Sequence, residues 1–163
     1  MDLPARDLDR DELRTLVCDL AEQGDWRALV HRDPVQRRYE QLLRTDHVDV
    51  WVLSWMHLHD TGYHDHDRSS GAVRVVAGEV VEERLTIGGT PRRAVFSEGD
   101  AFTFDETHVH RIHNETHELA VSIHAYSPPL EVLGAYVIEA DGTLRREIQD
   151  GTEELKQLTA EPA

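Results

Sequence analysis

Two histidines one residue apart, His64 and His66, are the residues of this sequence best suited to chemistry. Side chains at positions i and i+2 of a β-strand point to the same face, so both imidazoles would face one point. A third histidine from another strand would complete a three-nitrogen ligand set of the kind that transition metals such as iron use when substrates must also bind. Nine of the 11 histidines lie between His57 and His124, so the sequence predicts a metal site in this region.

Composition and charge exclude several classes of function. The 163 residues suit one ordinary domain, and we predict a single domain over 1–163. A formal net charge of −15 would repel a phosphate backbone, so no nucleic-acid partner is expected. Residues 1–6 lack the pattern of a signal peptide and no apolar run is long enough to cross a bilayer. We therefore predict a cytoplasmic protein without a membrane partner. A monomer is the default prediction for the oligomeric state.

The elements that must position the histidines follow from hydrophobic periodicity. Apolar residues at helical spacing over 7–23, with a second start at 25–31, predict short N-terminal helices within about 7–32. Alternation begins at Val48, and further strands are predicted at 72–76, 80–87, 93–96, 101–104, 109–113, 119–126 and 135–139. Many short strands with turn residues between them are typical of a β-sandwich or barrel. We predict a mainly β core over about 46–148 and a polar tail over 149–163.

The histidine spacing resembles the first motif of the cupins, which are double-stranded β-helix proteins. That motif runs glycine, five residues, His-x-His, three or four residues, glutamate, six residues, glycine. His64, His66 and Gly78 are in register with it, but Gly71 stands where the metal-binding glutamate should be. The resemblance therefore implies a cupin fold, a small β-barrel, whose metal site lacks a carboxylate ligand.

The second cupin motif selects the third ligand from a crowded set of histidines. Gly99, His110 and Asn114 are in register with it, so the resemblance implies that His64, His66 and His110 hold the metal. His108 shares the face of His110 by alternation and is the competing ligand.

Two segments, 110–114 (HRIHN) and 122–129 (SIHAYSPP), are similar to the signature of the cysteine dioxygenase family of thiol dioxygenases, in its bacterial form. The resemblance covers roughly 38–129. It implies an Fe(II) enzyme that adds both atoms of O2 to the sulfur of a small thiol, giving a sulfinic acid. L-Cysteine is the default substrate, with 3-mercaptopropionate or a bulkier thiol such as ergothioneine as alternatives.

The same resemblance implies roles for further residues. Ser122, His124 and Tyr126 alternate on one strand and would form a catalytic relay, with Tyr126 also contacting the substrate. Alignment outward from Trp55 places the family's carboxylate-binding arginine on Arg38, and Arg37 and Arg44 are the alternatives. In the animal enzymes a cysteine crosslinked to the tyrosine occupies the position of Gly71, so no thioether is expected here. The segment 56–59 also departs from the family and leaves the substrate open.

Two functions from other classes compete with this interpretation. One is a cupin isomerase or hydrolase that uses zinc or manganese as a Lewis acid, although the usual glutamate ligand is missing. The other is a non-catalytic cupin that binds a small anion through its metal, for which no Ser-His-Tyr relay would be expected.

Overall fold

The N-terminal helix forms where its capping residues predict. In the computed structural model of the protein, which describes residues 3–86 and 89–151, helix α1 spans Arg10–Gln23. Asp9 and Glu12 form a capping box at its start, and Gly24 ends it in the left-handed conformation. A short 3₁₀ helix follows at Asp25–Leu29, where a second helix was predicted over 25–31. Within the described ranges, no helix is long and apolar enough to span a bilayer.

The rest of the described chain is mainly β-structure. The strands are β1 (Arg38–Arg44), β2 (Asp49–Trp55), β3 (Tyr63–Asp65), β4 (Ser70–Ala77), β5 (Glu79–Arg84), β6 (Arg92–Ser97), β7 (Ala101–Phe104), β8 (His110–His113), β9 (Ala120–Ser127), β10 (Val132–Ile138) and β11 (Leu144–Asp150). They form a five-stranded sheet in the order β1-β2-β9-β4-β7 and a six-stranded sheet in the order β11-β10-β3-β8-β5-β6. The strand pairings among the described residues are antiparallel, and the predicted mainly β cupin architecture is confirmed.

Strand β9 lies at the centre of the five-stranded sheet and has two chemically different faces. Val121, Ile123 and Ala125 pack in the apolar cluster that includes the buried face of α1. The alternate residues face the six-stranded sheet, where Tyr126 joins a second cluster with Trp55 and Phe104. All eight residues of β9 are buried, so its polar side chains lie inside the protein.

Strands β1 and β11 were not predicted from the sequence, and β3 ends before His66, although the His-x-His pattern predicts both histidines on one strand. Strand β1 is an edge strand with a bulge between Gln41 and Leu43, and much of it is exposed, so it shows no alternation of apolar and polar residues. Strand β3 has only three residues, and β11 is an exposed edge strand rich in charge. The β core thus begins at Arg38 rather than near residue 46. The predicted polar tail begins inside β11, and residues 152–163 lie outside the described part of the chain.

Candidate metal centre and active site

Three buried histidines converge where the six-stranded sheet faces the core. His64 on β3 is paired in register with His110 on β8, and His66 follows the end of β3. One ring nitrogen from each lies within 4.8 Å of the others. The structure thus brings together the three residues that the cupin resemblance selects.

Contacts at Nδ1 hold two of these rings in place. His64 Nδ1 lies 3.0 Å from the carbonyl oxygen of Gly62, and His110 Nδ1 lies 2.8 Å from Oε1 of the buried Glu82. Metal-binding histidines are typically oriented by such a bond from the nitrogen that does not bind the metal. Among the described residues, His110 Nε2 has no hydrogen-bond partner although it is buried. An unpartnered buried nitrogen beside two other imidazoles fits a divalent metal.

His64 and His66 are in the protonation state that a metal requires. Burial lowers the pKa of His64 and of His66 well below the usual value, and the neighbouring histidines lower both further. Both rings are therefore neutral near pH 7, with lone pairs available to a metal.

The competing ligand, His108, does not belong to this group. Its Nδ1 lies 3.0 Å from the Asp105 carboxylate and 3.2 Å from the Asp105 backbone nitrogen, so this ring is directed toward Asp105. Phe104 lies between His108 and the metal-site histidines: its ring is stacked on His66 with centroids 4.3 Å apart.

Ser122, His124 and Tyr126 form a continuous hydrogen-bonded chain. Ser122 Oγ lies 2.8 Å from His124 Nε2, and His124 Nδ1 lies 3.2 Å from the Tyr126 hydroxyl. Burial lowers the pKa of His124 to about 3 and raises that of Tyr126, so both side chains are neutral. The chain continues to Trp55, a link that the sequence pattern does not predict, because its indole nitrogen donates to Ser122 Oγ at 2.8 Å.

A cavity of about 70 Å³ connects these two groups of residues. His64, His66, His124 and Tyr126 form its polar wall, and Trp51, Leu53, Leu130 and Leu133 form its apolar wall. The described lining includes none of residues 56–59, so the unusual loop lies away from the cavity. His59 in this loop is buried, and its Nδ1 accepts the backbone N–H of Met56.

The structure does not bring Arg38 to this cavity. Its guanidinium is about half exposed and is bonded twice to Asp33, with an Nη2 to Oδ2 distance of 2.6 Å. Arg37, one of the two alternatives, is buried, lines the cavity and lies over the ring of Trp55 at 5.0 Å. Arg44, the other alternative, is paired with Asp49. The candidate for a substrate-binding arginine therefore changes from Arg38 to Arg37.

An ion-pair network around Asp65 holds strand β3 in place. Asp65, between His64 and His66, receives hydrogen bonds from Arg146 Nε at 2.7 Å and from the Tyr136 hydroxyl at 2.5 Å. Burial alone would raise the pKa of Asp65, but these partners lower it to about 2. Arg146 lies on β11, which was not predicted, so no sequence signal marked this contact.

Comparisons with known proteins agree with this geometry. The family model for cysteine dioxygenase type I matches residues 3–138. Cysteine dioxygenase type 1 of Danio rerio is 32% identical over 93 residues; the alignment covers 51% of this chain and 46% of that protein, so the chain matches only about half the length of this relative.

Solved structures support the fold. A protein of Thermus thermophilus has a TM-score of 0.58 at 17% identity, covering 64% of this chain and 95% of its own. A protein with a double-stranded β-helix domain from Klebsiella pneumoniae has a TM-score of 0.55 at 18% identity, covering 63% and 80%. A cupin superfamily protein from Desulfitobacterium hafniense has a TM-score of 0.54 at 13% identity, covering 79% and 100%. With the family match over most of its length, the chain belongs to the cysteine dioxygenase type I family.

Proposed function

We propose that the protein is an Fe(II) thiol dioxygenase, which converts a small thiol and O2 into a sulfinic acid. The observation that carries this proposal is the meeting of two groups at one cavity. The neutral His64 and His66 lie on one side, beside His110, whose Nε2 has no hydrogen-bond partner among the described residues. The hydroxyl end of the Ser122-His124-Tyr126 chain lies on the other side. His64, His66 and His110 are the proposed metal ligands.

Iron held by three neutral imidazoles would supply open positions for a thiolate and for O2, and the redox chemistry that joins both oxygen atoms to sulfur. The reaction is balanced, because the thiolate gains both atoms of O2 and no other reductant is consumed. The protein holds the reacting groups in position. Four apolar side chains line one wall of the cavity, and Tyr126 supplies a neutral hydroxyl there.

Arg37 is proposed to bind the far end of the substrate. A guanidinium binds a carboxylate through two parallel hydrogen bonds, which fixes orientation as well as charge. The side chain lines the cavity and is packed against Trp55, so it is held in one place. A thiol that carries a carboxylate is therefore the preferred substrate class.

The cavity also bears on which carboxylate thiol fits. L-Cysteine is the default substrate by family membership. The described lining contains no aspartate or glutamate to pair with an ammonium group, and this favours 3-mercaptopropionate as the second candidate.

The test is oxygen uptake by the Fe(II)-loaded protein with cysteine, 3-mercaptopropionate, cysteamine and ergothioneine, with mass detection of products. We expect uptake with a carboxylate thiol and a product heavier by two oxygen atoms. Full iron loading without uptake for any thiol would contradict the proposal and favour Lewis-acid chemistry or a binding role. A cytoplasmic location, a single domain and a monomeric state stay predictions from the sequence.

A further inference from the structure

Trp55 lies behind the relay and has no role in the proposed reaction so far. Its side chain is fully buried on β2, beside β9, and its indole nitrogen is 2.8 Å from Ser122 Oγ. The ring is also covered by the guanidinium of Arg37. Its hydrogen bond is unusual among those of the relay, because its direction is fixed by chemistry: an indole N–H can donate but cannot accept.

That fixed direction decides what the Ser122 hydroxyl must do. Within the described part of the chain, Ser122 Oγ has two partners, Trp55 Nε1 and His124 Nε2, the second at 2.8 Å. Ser122 is fully buried, so a hydroxyl proton without an acceptor would be costly. Since Trp55 only donates, His124 Nε2 is the acceptor available to that proton.

The state of His124 then follows. A neutral imidazole that accepts at Nε2 carries its hydrogen at Nδ1, and burial keeps this ring neutral by lowering its pKa to about 3. His124 Nδ1 therefore donates to the Tyr126 hydroxyl oxygen, 3.2 Å away. With that oxygen already accepting from His124, the proton of Tyr126 is left for a group in the cavity that Tyr126 lines.

We infer that Trp55 is a positioning residue that sets the direction of the relay, so that Tyr126 acts as a hydrogen-bond donor to the substrate or to O2. The inference deepens the proposed function and depends on it for the identity of the acceptor. In the reverse direction, Tyr126 would donate to His124 Nδ1 and would have no proton for the cavity.

The direction can be measured by the tautomer of His124, without any turnover. The protein is labelled with ¹⁵N-histidine and loaded with Zn(II), which is diamagnetic, and the ring nitrogens are observed by NMR. We expect His124 to be a single Nδ1–H tautomer in the wild type. An Nε2–H tautomer in the wild type would overturn the inference even if no variant folds.

Two variants then test whether the indole N–H of Trp55 sets the tautomer of His124. Trp55→Phe keeps an aromatic ring but removes the donor, and we expect it to lose the single tautomer and give a mixture of both. Ser122→Ala, which breaks the link at the next atom, should do the same. A wild-type tautomer in Trp55→Phe would show that the indole does not set the direction.

The matched control is Trp26→Phe. Trp26 is also buried and its indole N–H donates to the carbonyl oxygen of Ala21 at 3.1 Å, but it packs in the cluster beside α1. The Trp26→Phe variant should leave the tautomer of His124 unchanged. A change equal to that of Trp55→Phe would contradict a specific role for Trp55. A single Nδ1–H tautomer in a protein that takes up no oxygen would refute the proposed function while leaving the relay direction standing.

Discussion

Phe104 occupies the space in which a side chain at position 71 would begin. Gly71 on β4 and Phe104 on β7 are paired in register, and a Cβ at position 71 would collide with the Phe104 ring and come within 3.0 Å of the Ala125 carbonyl oxygen. The same ring is stacked on His66. The position that holds a glutamate ligand or a crosslinking cysteine in related motifs is thus closed here by an aromatic ring, which packs on a proposed metal ligand instead.

Gly71→Ala should therefore destabilise both the fold and the metal site. We expect the free energy of unfolding to fall by about 1–3 kcal/mol, because an added methyl group overpacks the core. Metal affinity should fall as well, since Phe104 must move against His66. Urea unfolding and calorimetric titration with metal measure the two effects. Adding Phe104→Leu should recover part of the stability, whereas an unchanged Gly71→Ala protein would contradict this packing argument.

The sequence could predict the elements whose pattern is local and regular. The face shared by Ser122, His124 and Tyr126 follows from alternation along β9, and the structure places them in one hydrogen-bonded chain. The choice between Arg37 and Arg38 could not be made in this way, because a shift of one residue reverses the face and β1 is a bulged, exposed edge strand. Local patterns also did not reveal the contact between Arg146 on β11 and Asp65 on β3.

Loss of a proposed ligand should reduce iron binding far more than loss of the neighbouring His108. His110→Ala removes one of three nitrogens and leaves Glu82 without its partner, so iron binding should be lost. His108→Ala is the matched control, because that side chain is also largely buried but contacts Asp105. Iron content per chain after desalting measures both. Equal iron content in the two variants would refute the ligand assignment.

The two adjacent arginines offer a similar comparison for substrate binding. Arg37→Met should raise the KM for cysteine or 3-mercaptopropionate about 10- to 100-fold, the loss of one charge-assisted interaction of roughly 1.5–3 kcal/mol. Arg38→Met should change it little, because that side chain is paired with Asp33 at the surface. Cysteamine, which has no carboxylate, should be almost insensitive to both. A larger effect of Arg38→Met than of Arg37→Met on KM would indicate that Arg38 binds the substrate.

His124 should make the stability of the metal-free protein depend on pH. Its pKa is lowered by burial from 6.5 to about 3, so below pH 6.5 the unfolded chain binds a proton that the folded chain does not. Stability is therefore lost as the pH falls from about 6.5 toward 3. Between pH 7 and pH 5 the wild type should lose about 2 kcal/mol more unfolding free energy than His124→Gln, at 1.36 kcal/mol per unit of pKa. Urea unfolding at both pH values gives this difference directly, and the other buried histidines cancel because both proteins contain them. Equal losses would mean that the folded protein protonates His124 as easily as the unfolded chain, and a neutral relay would then be ruled out at pH 5.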